Sequence, residues 1–277
     1  MSTPIDVHVH PGTQAYVRTH GSAHEKIEKF FGKKTKVWTE DELAAKYVES
    51  RVRGVLLAFD AETATGAPRT SNEYVADVVA KYPEAFVCGF GSVDPWKGAR
   101  AVYEIDKCAE QLGLTGMKFH PSVQAFYPNE EQFEPIWAAC ERRGLPVLIH
   151  SGLTGWPDVR TDYSRPIPML DDLALRFPEL TIISAHPAFP WIDEQVALAL
   201  TRQNVYLDLS GYAPKYFPPS LVHEINSRLK NKALFGTDFP GILPDRWLEE
   251  FKDLGLKDEV VPKILWENAE RALDLNG

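Results

Sequence analysis

Eight short apolar runs punctuate this chain, each followed by a longer segment in which apolar residues recur at helical spacing. The runs are 5–10 (IDVHVH), 54–60 (GVLLAFD), 86–93 (FVCGFGSV), 115–120 (TGMKFH), 146–151 (PVLIHS), 181–186 (TIISAH), 204–210 (NVYLDLS) and 233–238 (ALFGTD). Their length and Val, Ile, Leu and Phe content predict buried parallel strands. Thr39 and Glu42 form a capping box ahead of Leu43, Ala44, Tyr47 and Val48. Asn129 is placed to cap a helix carrying Phe133, Ile136, Trp137 and Cys140, with Gly144 ending it. Further helices are predicted over 71–81, 98–112, 168–177, 190–202, 218–230 and 244–275, the last broken near Pro262 or Asn268.

Strand–helix alternation eight times over, with no linker or low-complexity stretch, predicts a single-domain (β/α)8 barrel over residues 1–277. An open doubly wound sheet is the competitor. It would carry a Gly-rich phosphate turn after its first strand, whereas here the turn begins His10-Pro11-Gly12-Thr13. Two connections are long, 11–38 and 151–167, and both leave the C-terminal ends of strands. They are candidate walls over a site, the first with Tyr16, His20, His24 and Trp38, the second with Trp156, Arg160 and Arg165.

The chemistry sits where the apolar runs end. Five of eight histidines, His8, His10, His120, His150 and His186, close such runs, and Asp238 closes the last. Ionisable groups at the C-terminal ends of barrel strands build active sites in this architecture, and imidazole with carboxylate is a ligand set for a divalent transition metal. Strand alternation turns His8 and His10 to one side, with Val7 and Val9 facing the helices. An isolated H-x-H is equally a hydrogen-bonded core pair. With His150, His186 and Asp238 at matching strand ends, a metal site becomes the favoured reading. Asp6 is expected one layer below His8, either orienting a ligand or in a buried salt link. Asp60, Asp94 and Asp208 close other runs, where turn and capping roles explain them as well as catalysis does. His20, His24 and His223 lie away from strand ends and are expected in solvent.

Composition narrows the function. The 30 basic and 39 acidic residues give a net charge of -9, which disfavours nucleic-acid and anionic-membrane binding. An anionic small substrate is still admitted, because a metal and a few cations can reverse the field locally. Cys88, Cys108 and Cys140 form no C-x-x-C pair and read as reduced, buried thiols in a cytoplasmic protein. The first strand begins at Ile5, leaving no room for a secretory leader, and no apolar run reaches membrane-spanning length.

As a set, His8-Val9-His10, Gly116-Met117-Lys118-Phe119-His120-Pro121, Ile149-His150-Ser151-Gly152, Ala185-His186-Pro187 and Gly236-Thr237-Asp238-Phe239-Pro240 resemble the amidohydrolase superfamily. The style is that of its amidohydrolase-related branch, which includes aminocarboxymuconate-semialdehyde decarboxylase and resorcylate-type decarboxylases. The resemblance spans the chain, down to Trp266-Glu267-Asn268-Ala269-Glu270-Arg271. It implies that His8, His10, His150 and Asp238 ligate one divalent cation, zinc foremost with manganese as the alternative. It further implies that His186 stands beside the metal as a catalytic or substrate-polarising group and that the protein forms a homodimer.

Some superfamily members bridge two metals with a carboxylated lysine at the end of strand four. Lys118 is there, but the Lys118-Phe119-His120-Pro121 run resembles the one-metal branch, so Lys118 is expected as a structural or substrate-facing ammonium. His120 either contacts substrate or packs under the loop. One departure stands out: resorcylate-type sequences follow the strand-six histidine with Gly-Glu, and this chain has Pro187-Ala188-Phe189-Pro190-Trp191. Phe189, Trp191, Trp156, Tyr212 and Phe239 are expected as an apolar wall suited to a planar ring, or as ordinary packing.

Three functions follow. The first is non-oxidative decarboxylation of a small cyclic or unsaturated acid, with Asp238 delivering the proton. The second is hydrolysis of a lactone or amide by a metal-activated water, with Asp238 as the base. The third is a non-catalytic metal-binding barrel. Whole-chain resemblance favours the first.

Overall fold

The predicted runs become eight parallel strands hydrogen-bonded in chain order, β1 to β8, in the computed structural model, which describes residues 3–275. They are β1 Ile5–Val9, β2 Arg53–Leu57, β3 Phe86–Ser92, β4 Gly116–Phe119, β5 Val147–His150, β6 Ile182–Ala185, β7 Val205–Asp208 and β8 Ala233–Leu234. Regular pairing in β8 is short, yet the chain beyond it closes the barrel against β1. Val7 N–H donates to the Phe235 carbonyl, Asp238 N–H to that of His8 and His10 N–H to that of Phe239, each at 3.0 Å. The architecture is a (β/α)8 barrel.

Helices follow the strands where the pattern puts them: Glu40–Ser50, Asn72–Lys81, Ala99–Glu110, Glu134–Arg142, Met169–Arg176, Ile192–Thr201, Pro219–Ile225, Pro244–Lys252 and Asn268–Ala272. Both bonds of the Thr39–Glu42 capping box form, at 3.1 and 2.8 Å. One local expectation fails. Asn129 does not cap the fourth helix but donates to Asp172 at 2.7 Å, and a 3-10 turn Glu131–Phe133 leads in instead. The break in the closing segment falls before Pro262, which occupies a first helical turn where its missing N–H costs nothing. Asn268 continues the helix while its side chain donates to the carbonyls of Lys230 and Ala233.

The largest departure is a bulge in β1. Asp6 pairs with Gly54 and Val9 with Leu56, so three steps of β1 span two of β2. An extra residue shifts the in–out alternation. Val7 therefore joins the barrel interior with Val55, Leu57, Phe90, Leu148 and Ile183, rather than facing the helices. His8 and His10 still turn inward, and Val9 still packs outward beside Tyr47. Asp6 is displaced outward from its expected layer below His8. It accepts from Tyr47 Oη (2.8 Å), Thr237 N–H and Oγ1 (2.9 and 2.6 Å) and His8 N–H (3.0 Å), with no salt link among the described residues. Asp6 thus staples β1, the β8 run and the first helix, and touches His8 only through its backbone.

Two apolar layers hold the frame. One lies between strands and helices around Tyr47, Phe86, Phe119, Trp137, Phe235 and Trp247. The other fills the lower interior, closed below by Ala269, Ala272 and Leu273. All three cysteines are buried and unpaired, as expected. No helix among the described residues is long and apolar enough to cross a membrane.

Candidate metal centre and active-site cavity

A cavity of about 850 Å³ opens at the C-terminal face, with His10, Lys118, His120, His150, His186 and Asp238 in its lining. His10 lines this cavity, and His8, two residues earlier on β1, is fully buried. The ligand atoms of His8, His10 and Asp238 lie within 4.8 Å of one another. His8 Nε2 and His10 Nε2 each stand 3.4 Å from Asp238 Oδ1. His150 is outside that tight group, but its Nε2 is buried without a hydrogen-bond partner. An orphaned imidazole nitrogen is a group awaiting a partner. Burial holds His8, His10, His120 and His150 well below the usual histidine pKa, helped by the Lys118 charge and neighbouring imidazoles. Their rings are neutral at pH 7, the form that coordinates metal. The residues fit one divalent cation.

His8 is the best prepared. Its Nδ1 lies 2.7 Å from Asp208 Oδ2, an arrangement that puts the proton on Nδ1 and leaves Nε2 bare. Burial raises the pKa of Asp208, opposed by His186, Ser210 and Lys118. The Lys118 amine sits 3.1 Å from His8 Nε2. One lone pair cannot serve both, so a cation held by Nε2 would leave the amine free for another partner. Lys118 is fully buried with no carboxylate within salt-bridge distance among the described residues, and burial lowers its pKa to about 8.

His186 stands beside this group, its ring 4.8 Å from those of His8 and His150. Burial and then the Lys118 charge lower its pKa to about 4, so it too is neutral. Burial raises the Asp238 carboxyl to about 7, with Lys118 pulling the other way. Both residues have left-handed backbones, φ +66° at His186 and +62° at Asp238. For non-glycine residues that conformation costs of order 1–3 kcal/mol and gathers at functional sites.

The remaining expected residues divide. His120 stacks on His150 at 3.8 Å and also caps the turn Pro121–Gln124, so it both lines the cavity and packs. Trp156, Phe189, Tyr212 and Phe239 line the cavity. Trp191 does not: it begins the helix after β6 and its ring faces the Arg165 guanidinium at 5.9 Å. Asp94 caps the Trp96 N–H and Asp60 pairs with Lys97. His20, expected in solvent, is buried between Tyr16 and Trp156 and lines the cavity. Tyr16, from the same loop, stacks on His10 at 4.6 Å.

Ser210 is not singled out by the sequence, and Asp208 is read there as explained by turn or capping at least as well as by catalysis. They are polar residues two apart at an apolar strand end, the signal that flagged His8 and His10, but turn chemistry accounts for such residues equally well.

A family model described as Amidohydrolase matches residues 5–275. The chain belongs to the amidohydrolase family. It is 25% identical over 241 residues to a 2-amino-3-carboxymuconate-6-semialdehyde decarboxylase of Dictyostelium discoideum. That alignment covers 74% of the chain and 66% of the relative, just under two thirds of its length. It is 23% identical over 261 residues to a gamma-resorcylate decarboxylase of Polaromonas sp. strain JS666, covering 78% and 79% of the two chains. Among solved structures, an uncharacterized TIM-barrel protein of Bordetella bronchiseptica superposes with TM-score 0.82 over 98% of each chain at 25% identity. A Polaromonas dihydroxybenzoic acid decarboxylase with bound manganese and 2-nitroresorcinol superposes with TM-score 0.70 at 19% identity, covering 100% of this chain and 98% of that one. At that identity the likeness establishes a shared fold.

Proposed function

We propose that this member of the amidohydrolase family is a metal-dependent carboxy-lyase that removes CO₂ non-oxidatively from a small cyclic or unsaturated carboxylic acid. The observation that carries the reading is the buried Lys118 ammonium, with no carboxylate within salt-bridge distance among the described residues, beside the His8–His10–Asp238 group. A buried cation is costly until an anion meets it, so this floor favours a substrate carboxylate over a neutral amide or lactone. The two curated relatives are decarboxylases, which supports the same choice.

His8, His10, His150 and Asp238 would hold the cation, and when bound it supplies a Lewis-acid anchor for the carboxylate and a neighbouring polar group. Zinc is the proposed ion, with manganese its competitor. Lys118 draws the anion to the floor. Neutral His186 accepts a hydrogen bond from the substrate's polar group, and the aromatic wall of Trp156, Tyr212 and Phe239 receives an unsaturated ring. As the carbon–carbon bond breaks, its electron pair stays on the ring carbon, CO₂ departs and Asp238 gives that carbon a proton.

The test is a panel of hydroxy- and amino-substituted cyclic acids together with lactones, run in D₂O and in ¹⁸O-water. CO₂ release with one deuterium on the carbon that lost it is expected, and Asp238→Asn should suppress both by about 10² or more. Oxygen-18 in a product acid without CO₂ would replace this reading with hydrolysis. No turnover by a fully metal-loaded protein would favour a binding barrel.

A further inference from the structure

Pro187 and Ala188 follow His186, so its own strand brings no carboxylate to its ring. The ring is nevertheless held. Its Nδ1 lies 2.9 Å from Ser210 Oγ, and Ser210 Oγ lies 2.6 Å from Asp208 Oδ2. We propose that Ser210 is the positioning residue of His186, relaying Asp208 to its Nδ1 so that one buried carboxylate sets the tautomers of both His186 and His8. This rests on the reading of His186 as the neutral group that faces substrate.

Proton counting gives the direction of each bond. Asp208 receives three donors: Ser210 N–H on Oδ1 at 2.9 Å, and Ser210 Oγ–H and His8 Nδ1–H on Oδ2. An ionised carboxylate only accepts. The single hydroxyl proton of Ser210 is therefore committed to Asp208, and toward His186 its oxygen offers only lone pairs. His186 must carry its proton on Nδ1, which leaves Nε2 bare on the opposite edge of the ring. Ser210 Oγ also lies 3.0 Å from His8 Nδ1, so the same two residues hold both imidazoles.

The backbone is shaped around this relay. At Gly211 (φ +74°) a Cβ would lie 2.4 Å from His186 Nδ1, and at Gly236 a Cβ would lie 2.1 Å from Asp208 Oδ1. Neither position admits a side chain without displacing the ring or the carboxylate. The acid that aligns the strand-six histidine thus comes from β7 and acts through a hydroxyl. Because Asp208 also serves His8, the metal group and the substrate-facing group share one orienting carboxylate.

Histidine tautomers are read directly by long-range proton–nitrogen NMR of ¹⁵N-histidine-labelled, zinc-loaded protein, with the His186 signals assigned by their loss in His186→Gln. The expected wild-type ring is protonated at Nδ1 and bare at Nε2. Ser210→Ala should shift it to a mixture or to the Nε2–H form, with bound zinc unchanged and kcat down about 10- to 10²-fold at similar KM. Asp208→Asn should disturb both rings. A wild-type His186 protonated at Nε2 overturns the proposal, as does a Ser210→Ala protein that keeps the wild-type tautomer or the wild-type kcat. The NMR result needs no turnover, so it stands apart from the outcome of the substrate panel.

Discussion

At the N-terminal end of the barrel, Ile5, Val7, Val55, Leu57, Phe90, Leu148, Ile183 and Leu234 fill the interior with hydrocarbon. Within four residues along β1, β5, β6 and the β8 run, His8, His150, His186 and Asp238 occupy it instead, joined by Lys118 from β4. The lower half gains on folding, at about 25 cal/mol for each Å² of apolar surface removed from water. The upper half spends part of that gain. Its imidazoles are held neutral, its lysine has no carboxylate within salt-bridge distance among the described residues, and two of its residues keep unfavourable backbones. The division of labour is physical: the strands are stable because of one end and reactive because of the other.

The sharpest way to break this contrast is at His8 and His10. The His8→Ala, His10→Ala protein should retain no more than background cation by elemental analysis and lose several kcal/mol of transition-state stabilisation, roughly 10³-fold or more in turnover. Its unfolding midpoint, measured with chelator present, should stay near that of the chelated parent, because the lower core supplies the stability. Wild-type metal content in the variant would remove both histidines from the centre. A collapse of the chelated fold would mean the upper half is structural after all.

Leu148→Ala is the complementary cut, two residues below His150 on β5. Truncating a buried leucine costs about 2–5 kcal/mol through lost transfer energy and the cavity left behind. Denaturant unfolding should record that loss while metal content and turnover of the folded fraction stay close to wild type. A large fall in turnover per folded molecule would show that the two halves are mechanically coupled.

How much of this contrast could be read from the chain depends on what carries each part. The lower half and the strand-end histidines were legible, because apolar runs and the ionisable residues closing them are local signals. The β1 bulge was not: Val7 and Asp6 exchanged sides through pairing with β2 and β8, which strict alternation cannot anticipate. Asp208 and Ser210 were legible as strand-end polar residues but not as partners of His8 and His186, since that relation crosses 202 and 24 residues of sequence. Trp191 and Phe189 differ in destination through the turn after β6, which aims one ring at the cavity and the other at Arg165.

His20 gives the smallest effect and the finest test, because it asks whether the first long loop folds over the upper half. On the chain it looks solvated; in the structure it is buried against Tyr16 and Trp156, with Nδ1 3.2 Å from that of His24. Burial, and then the His24 charge, lower its pKa to about 4 from the usual 6.5. The unfolded chain therefore binds a proton at this residue between pH 6.5 and 4 while the folded protein does not. Stability contributed here is complete above the unfolded value and is lost as pH falls through that window, by on the order of 1–3 kcal/mol. Other buried histidines add losses of the same sign, so the informative quantity is a difference between two proteins. Subtracting the pH dependence of unfolding free energy of His20→Gln from that of wild type, over pH 7 to 4, should leave a positive slope confined to this range. Parallel curves would mean that His20 titrates freely in the folded state. The loop would then stand open, and the cavity would lose the wall that Tyr16 and His20 provide.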